Sequence, residues 1–152
     1  MESYFTKAYS ILDIVTKIAY ELEHKPSNYE CYKKLKCANI LWGDRRNLQI
    51  EEDIQTVFAR SETIKKIEAL RNEVVHNGSW EPNPKVFITF KEEVLIERFM
   101  LFPDFENGHL STVKNRNHFF GKGTRVNDEL PRIHIEFLTE LLTTITYFTN
   151  KY

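Results

Sequence analysis

Three polar side chains near the middle of the chain, Arg71, Asn72 and His76, could act together on a phosphate diester. A guanidinium can bind two phosphate oxygens at once, an amide can orient a neighbouring group, and an imidazole titrates near neutral pH. Asn72 and His76 are four residues apart, so they share one edge of a helix. The three groups therefore suit phosphate binding with proton transfer beside it.

Arg71 has an unusual position in the helix that the sequence predicts from Ser61 to Asn77. At about 100° per residue, the apolar side chains of this helix fill one arc of roughly 140°. They are Ile64, Ile67, Leu70, Val74 and Val75. Arg71 falls inside the arc, where a guanidinium is costly unless its charge and its donors are met. Gly78 is predicted to end the helix, because glycine takes the left-handed C-terminal conformation cheaply.

A structural interpretation of the same residues needs no ligand. Arg71 could pair with Glu68, three residues earlier, or with a carboxylate of another helix. His76 could bind carbonyl groups at the C-terminal end of its helix, where the macrodipole favours a cation. The residues alone leave both interpretations open.

The segment from Leu70 to Gly78, LRNEVVHNG, resembles the signature of the HEPN superfamily. That signature is an Arg followed after four to six residues by a His, often with Asn directly after the Arg. The resemblance implies a small domain like a four-helix bundle, and many members are metal-independent endoribonucleases and toxins that work as dimers. Some family toxins carry a modified Tyr two residues after the His, a position that Gly78 occupies in this chain.

The resemblance implies RNA cleavage by the neighbouring 2′-hydroxyl, with Arg71, Asn72 and His76 as the catalytic residues. Arg71 would hold the phosphate oxygens, His76 would transfer the proton, and Asn72 would orient His76 or the phosphate. On one helix Arg71 and His76 point about 140° apart, so a composite site in a homodimer would solve the geometry. An antitoxin or a regulatory protein is a further expected partner. The alternative is a non-catalytic HEPN-like module that dimerises or binds a nucleotide or a protein.

A second candidate site is the segment 107–127, which contains no Asp or Glu. Basic residues with interleaved aromatics and flexible glycines suit a loop that follows a single RNA strand. The predicted RNA-binding residues are Lys114, Arg116, His118, Phe119, Phe120, Lys122 and Arg125. The alternative is a solvated loop whose two Phe side chains pack onto the core.

Length and composition limit the class of protein. A chain of 152 residues predicts one domain, and its net charge of −1 means that RNA contacts must come from a local patch.

Cys31 and Cys37 are too few for a zinc site, so we expect reduced thiols in a cytoplasmic protein with no metal and no cofactor. No stretch reaches the length of a membrane span, and the first residues do not form a signal peptide.

The predicted fold class is mainly α, a HEPN-like bundle of four to five helices in one domain over residues 1–152. The first helix is expected from Ser3 to about His24 and the second from about Tyr29 to Leu41. Residues 50–77 predict a third helix, long or kinked, unless the good N-cap Ser61 interrupts it. The last helix is expected from about Asp128. Its apolar stripe is Ile133, Phe137, Leu141, Ile145 and Phe148.

An insertion is predicted at about 80–127, with β-containing or irregular structure near 85–125. Val86 to Phe90 alternates as VFITF, and Val94 to Phe102 is rich in residues that favour strands, which together predict a short hairpin. The segment from Glu92 to Met100 could equally be helical.

Overall fold

Helices dominate the computed structural model, which describes residues 1–24, 48, 55–79, 81, 84–111, 118 and 120–152. These residues contain three α-helices: α1 is Glu2–His24, α2 is Glu62–Asn77 and α3 is Val126–Lys151. The mainly α class is confirmed at this level. The second predicted helix, Tyr29 to Leu41, and both cysteines lie outside the described residues.

Helix α1 forms as its sequence predicts, because its apolar residues recur at spacings of three and four. The side chains on this face are buried: Phe5, Ala8, Tyr9, Leu12, Val15 and Ala19. Helix α2 runs antiparallel to α1, since Ser79, just after α2, donates a hydrogen bond to Glu2 at 2.7 Å. Helix α3 runs parallel to α1, with Tyr4 Oη 3.3 Å from His134 Nδ1 near the start of both.

Helix α2 is separate from the turn that precedes it, so the prediction of one long helix over residues 50–77 is wrong. A 3₁₀ turn at Val57–Ala59 is followed by Arg60 in the left-handed conformation, with φ of 52°, which a continuing helix does not allow. Ser61 then caps α2 by accepting a hydrogen bond from the Ile64 N–H. Gly78 ends the helix with φ of 79° and its N–H bonded to the Val74 carbonyl, as predicted.

Helix α3 begins at Val126, two residues before the predicted start. Ile133, Phe137 and Phe148 are buried as predicted, but Ile145 is 50% exposed, so its place in the core stripe is wrong. Thr144 is buried instead, and its hydroxyl oxygen accepts a hydrogen bond from the Val57 N–H at 3.0 Å. Thr144 also donates to the Glu140 carbonyl, so the hydroxyl is satisfied inside the core.

The predicted hairpin is confirmed, and the segment 94–100 is a strand rather than a helix. Strand β1 (Val86–Lys91) pairs antiparallel with β2 (Val94–Met100), with a bulge between Thr89 and Phe90. A second hairpin follows, in which β3 (Phe105–Glu106) pairs with β4 (His109–Leu110). Its turn holds Gly108 at φ of 78° against the Lys65 side chain of α2.

Candidate functional site

Arg71 lies at the edge of the core, over the ring of a buried tyrosine. Its guanidinium carbon is 4.5 Å from the centroid of Tyr9, a side chain that is 4% exposed. Its Nη1 donates a hydrogen bond to Asn72 Oδ1 at 3.0 Å. The cation therefore covers an aromatic face of α1, an arrangement that is favourable in itself.

Arg71 lies on the apolar arc of α2, as its spacing predicts, but it is only half-buried, because this arc loses its cover towards the end of the helix. Ile64, Ile67 and Leu70 are fully buried, whereas Val75 is 50% exposed. Helix α3 packs against only the first part of α2. The contact between Lys66 and Glu129 is near the beginning of α3, so α3 does not extend along the rest of α2. Beyond that point α1 is the helix that packs against α2. The last two turns of α2 are therefore open on one side.

The charge of Arg71 is not neutralised within the described part of the chain. Glu68, the partner that the structural interpretation proposed, lies 3.4 Å from Arg60 instead. Among the described residues Arg71 forms no ion pair, and its hydrogen bond to Asn72 uses one of several N–H donors. The guanidinium can therefore offer further donors to an anion.

Asn72 and His76 are both exposed and share one edge of α2, as their spacing predicts. Arg71 and Asn72 are adjacent, so their side chains leave the helix in different directions. The hydrogen bond from Arg71 to Asn72 nevertheless brings the guanidinium towards this edge. His76 belongs to the last turn before Gly78. The end of α2 thus presents a cation, an amide and an imidazole to solvent.

Tyr9 is the residue of this site that the sequence did not reveal. The apolar spacing of α1 predicts its neighbours Ala8 and Leu12 as core residues but gives Tyr9 no special place. Its contact with Arg71 joins two helices whose pairing follows from the tertiary fold. No local pattern in the sequence could therefore have indicated it.

A buried ion-pair network fixes the start of α3 against the first part of α2. Lys66 donates to Glu129 at 2.9 Å, and both side chains are nearly inaccessible to solvent. Arg132 donates to Glu129 from the next turn of α3 and also to Glu136. Burial alone would raise the pKa of Glu129, but the hydrogen bonds from Arg132 and Lys66 outweigh it and lower that pKa.

The predicted RNA-binding segment is only partly described, and two of its cations have partners inside the protein. Arg125 pairs with Glu97 and lies 4.2 Å from the centroid of the Phe99 ring. Lys122 donates from Nζ to the Phe105 carbonyl at 2.6 Å. These contacts hold the segment against the two hairpins, so neither cation extends freely towards solvent.

Of the other predicted residues of this segment, the structure describes only His118 and Phe120. Phe120 is partly buried and packs against the core, as the alternative interpretation expects. His118 is partly buried too. Lys114, Arg116 and Phe119 lie outside the described residues. The structure thus places Arg71, Asn72 and His76 in the last two turns of α2, and the described part of the basic segment makes its contacts elsewhere, with the two hairpins and the core.

Comparison of the chain with protein-family models, curated proteins and solved structures finds no match. Within the described ranges, no group of three or more His, Cys, Asp or Glu side chains is placed to hold a metal ion. None of the described helices combines the length and the apolar character that crossing a membrane requires. Any inference about function therefore depends on the end of α2.

Proposed function

We propose that this chain is a metal-independent endoribonuclease of the HEPN type, a toxin or phage-defence RNase, with Arg71, Asn72 and His76 as its catalytic residues. One observation carries the proposal. The Arg71 guanidinium, which forms no ion pair among the described residues, donates a hydrogen bond to Asn72. Asn72 lies one helical turn before the exposed His76. We also propose that the complete fold is a HEPN-like bundle of four to five helices. A protein partner such as an antitoxin is a further part of the proposal.

In the proposed reaction the 2′-hydroxyl of RNA attacks the adjacent phosphorus while the bond to the 5′-oxygen breaks. The products are a 2′,3′-cyclic phosphate and a 5′-hydroxyl. Arg71 binds two phosphate oxygens and stabilises the charge that they gain. His76 takes the proton from the attacking hydroxyl or gives one to the leaving oxygen, which typically contributes about 10²–10⁴ in rate. Asn72 holds the guanidinium at the edge that His76 shares.

A homodimer is part of this proposal, because one helix points Arg71 and His76 about 140° apart. A two-fold axis at the end of α2 would let the His76 of one copy serve the phosphate held by the Arg71 of the other. Val75, directly before His76, is 50% exposed, and this apolar side chain supports a contact there.

The test is cleavage of a structured RNA in excess chelator by the wild-type protein, Arg71→Ala and His76→Ala. We expect each substitution to lower the rate by about 10²-fold or more, and the products to end in a 2′,3′-cyclic phosphate. His109→Ala is the matched control, because His109 is an exposed histidine that belongs to β4 and not to α2. Cleavage that survives both site substitutions, or that requires a divalent metal, would contradict the proposal.

The second candidate function is a non-catalytic module that dimerises or binds a nucleotide or a protein. The stacking of Arg71 on Tyr9 favours it, because this contact gives the guanidinium a structural role without any ligand. Toxicity on expression separates the two candidates. A toxin should lose its effect with His76→Ala and keep it with His109→Ala, whereas a binding module should respond to neither substitution.

A further inference from the structure

Tyr9 of α1 is a buried ring whose orientation is fixed by the core. Its neighbours on the same face of the helix, Phe5, Ala8 and Leu12, are buried with it. Protein interiors are close-packed, so a ring in such surroundings keeps one orientation. Tyr9 therefore offers a rigid aromatic face at the place where α1 packs against α2.

The Arg71 guanidinium lies on this face and has one hydrogen bond besides. Its Cζ atom is 4.5 Å from the centroid of the Tyr9 ring, inside the roughly 6 Å within which a ring attracts a cation. Its Nη1 donates to Asn72 Oδ1 at 3.0 Å. The ring attracts the charge without accepting an N–H donor, so the guanidinium is ordered and keeps its other donors for an anion.

Arg125 shows how a ring contact differs when a carboxylate accompanies it. Its guanidinium carbon is 4.2 Å from the centroid of Phe99, and the same guanidinium pairs with Glu97. The charge of Arg125 is thus already neutralised inside the protein. Arg71 has the contact with Tyr9 and no carboxylate partner in the described part of the chain. The ring therefore holds this cation in a form that can still bind a phosphate.

We infer that Tyr9 is a positioning residue of the proposed cleavage site, whose aromatic face holds the Arg71 guanidinium in place for the phosphate. The inference rests on the proposed function and adds a residue of α1 to a site otherwise formed by α2. Without the ring, Arg71 would spread over several rotamers and would lose that freedom again on binding phosphate. A displacement of about 1 Å at a reacting group can lower a rate by about 10²-fold. We expect the ring to contribute about tenfold to kcat/KM.

Three replacements of the Tyr9 side chain separate the electrostatics of the ring from its shape, with cleavage of a structured RNA in excess chelator as the assay. Tyr9→Phe keeps the aromatic face, so kcat/KM should stay within about twofold of the wild type. Tyr9→Leu removes the face and should lower kcat/KM about tenfold. Pentafluorophenylalanine at this position keeps the shape of phenylalanine but reverses the charge distribution of the ring, so it should lower kcat/KM as much as leucine does. Circular dichroism checks the folding of each variant, and the fluorinated ring fills the space that leucine leaves empty.

The loss caused by Tyr9→Leu must act through Arg71. In an Arg71→Ala background, Tyr9→Leu should change the remaining rate by less than about twofold, because the cation that the ring positions is gone. Phe137→Leu is the matched control, because Phe137 is a buried ring of α3 that is 2% exposed. It should lower stability and leave kcat/KM within about twofold of the wild type.

Three results would each overturn the inference. They are wild-type cleavage by either the leucine or the fluorinated variant, a loss with Tyr9→Phe as large as that with Tyr9→Leu, and a tenfold loss that persists without Arg71. In each case cleavage would still depend on Arg71 and His76, so the proposed function would stand. A protein that cleaves no RNA, or whose cleavage does not depend on Arg71, overturns the proposed function and this inference with it.

Discussion

The buried pair of Lys66 and Glu129 gives the sharpest prediction for stability. Lys66 is 7% exposed and Glu129 is 8% exposed, and their charged atoms are 2.9 Å apart. Glu129→Gln removes the carboxylate charge with little change in shape. It leaves Lys66 with the exposed Glu62, at 3.5 Å, as its remaining ionic partner in the described structure.

Breaking a buried pair typically costs about 3–5 kcal/mol, because the remaining charge is left without compensation. Glu62 offsets a part of that cost for Lys66, so we expect Glu129→Gln to lower the free energy of unfolding by about 3 kcal/mol. For a domain of this size the melting temperature should fall by roughly 6–12 °C. Replacing both members, as Lys66→Met with Glu129→Leu, should stay within about 1 kcal/mol of the wild type.

The pH dependence of stability gives an independent signature of the same pair. The pKa of Glu129 is lower in the folded protein than its ordinary value of 4.5, because the bonds from Arg132 and Lys66 outweigh burial. Stability from this group is therefore fully present above pH 4.5 and is lost as the pH falls through the folded pKa. Glu129→Gln should flatten the decline of the wild-type curve in this acid range.

Urea titration followed by circular dichroism, at neutral pH and at several acid values, measures both effects. The slope of free energy against urea should be the same for all variants, since the surface exposed on unfolding hardly changes. A loss below about 1 kcal/mol at neutral pH, or a double variant less stable than either single one, would refute the argument that the pair is buried and mutually dependent.

Two further substitutions test local features of the fold by the same titration. Gly108→Ala should cost about 2–4 kcal/mol, because φ is 78° there and a Cβ would lie 2.5 Å from Lys65 Cδ. Gly123→Ala, at φ of 64° with open space around it, is the control and should cost only about 1 kcal/mol. Glu140→Gln should stabilise the protein by roughly 0.5–1 kcal/mol at neutral pH, because burial raises the pKa of Glu140 against the bond from Ser61. A raised pKa means that the charged carboxylate of Glu140 destabilises the folded protein, whereas the protonated carboxyl does not. The stabilisation by Glu140→Gln should therefore vanish in acid, where Glu140 is protonated.

The helices and the hairpin could be predicted because their signals are local. The spacing of apolar residues in α1, the serine cap before α2 and the glycine after it each act within a few residues. The left-handed Arg60 is different, since an arginine carries no preference for that conformation. Ser61 gave a local sign that a helix could begin there, but nothing local showed that Arg60 leaves the helical conformation and so prevents one helix over residues 50–77.

The burial of individual side chains was harder to predict, because it depends on which helices lie side by side. Ile145 fits the stripe of α3 in sequence, yet Thr144 is buried in its place, where it meets Val57. Arg71 fits the arc of α2, yet that arc is open where α3 does not reach. In both cases the helical period is right, and the missing information is the position of the neighbouring element.

The half-buried position of Arg71 at the edge of the core changes the argument for its role. A guanidinium enclosed in the core would need a carboxylate, and that carboxylate would compete with any phosphate for the same donors. At the end of α2 the ring of Tyr9 supports the cation and Asn72 takes one donor, so the side chain is ordered without being neutralised within the described structure. An ordered cation loses less conformational entropy when it binds an anion, which is the advantage of a preorganised site. The position outside the core therefore suits phosphate binding better than the buried position that the sequence suggests.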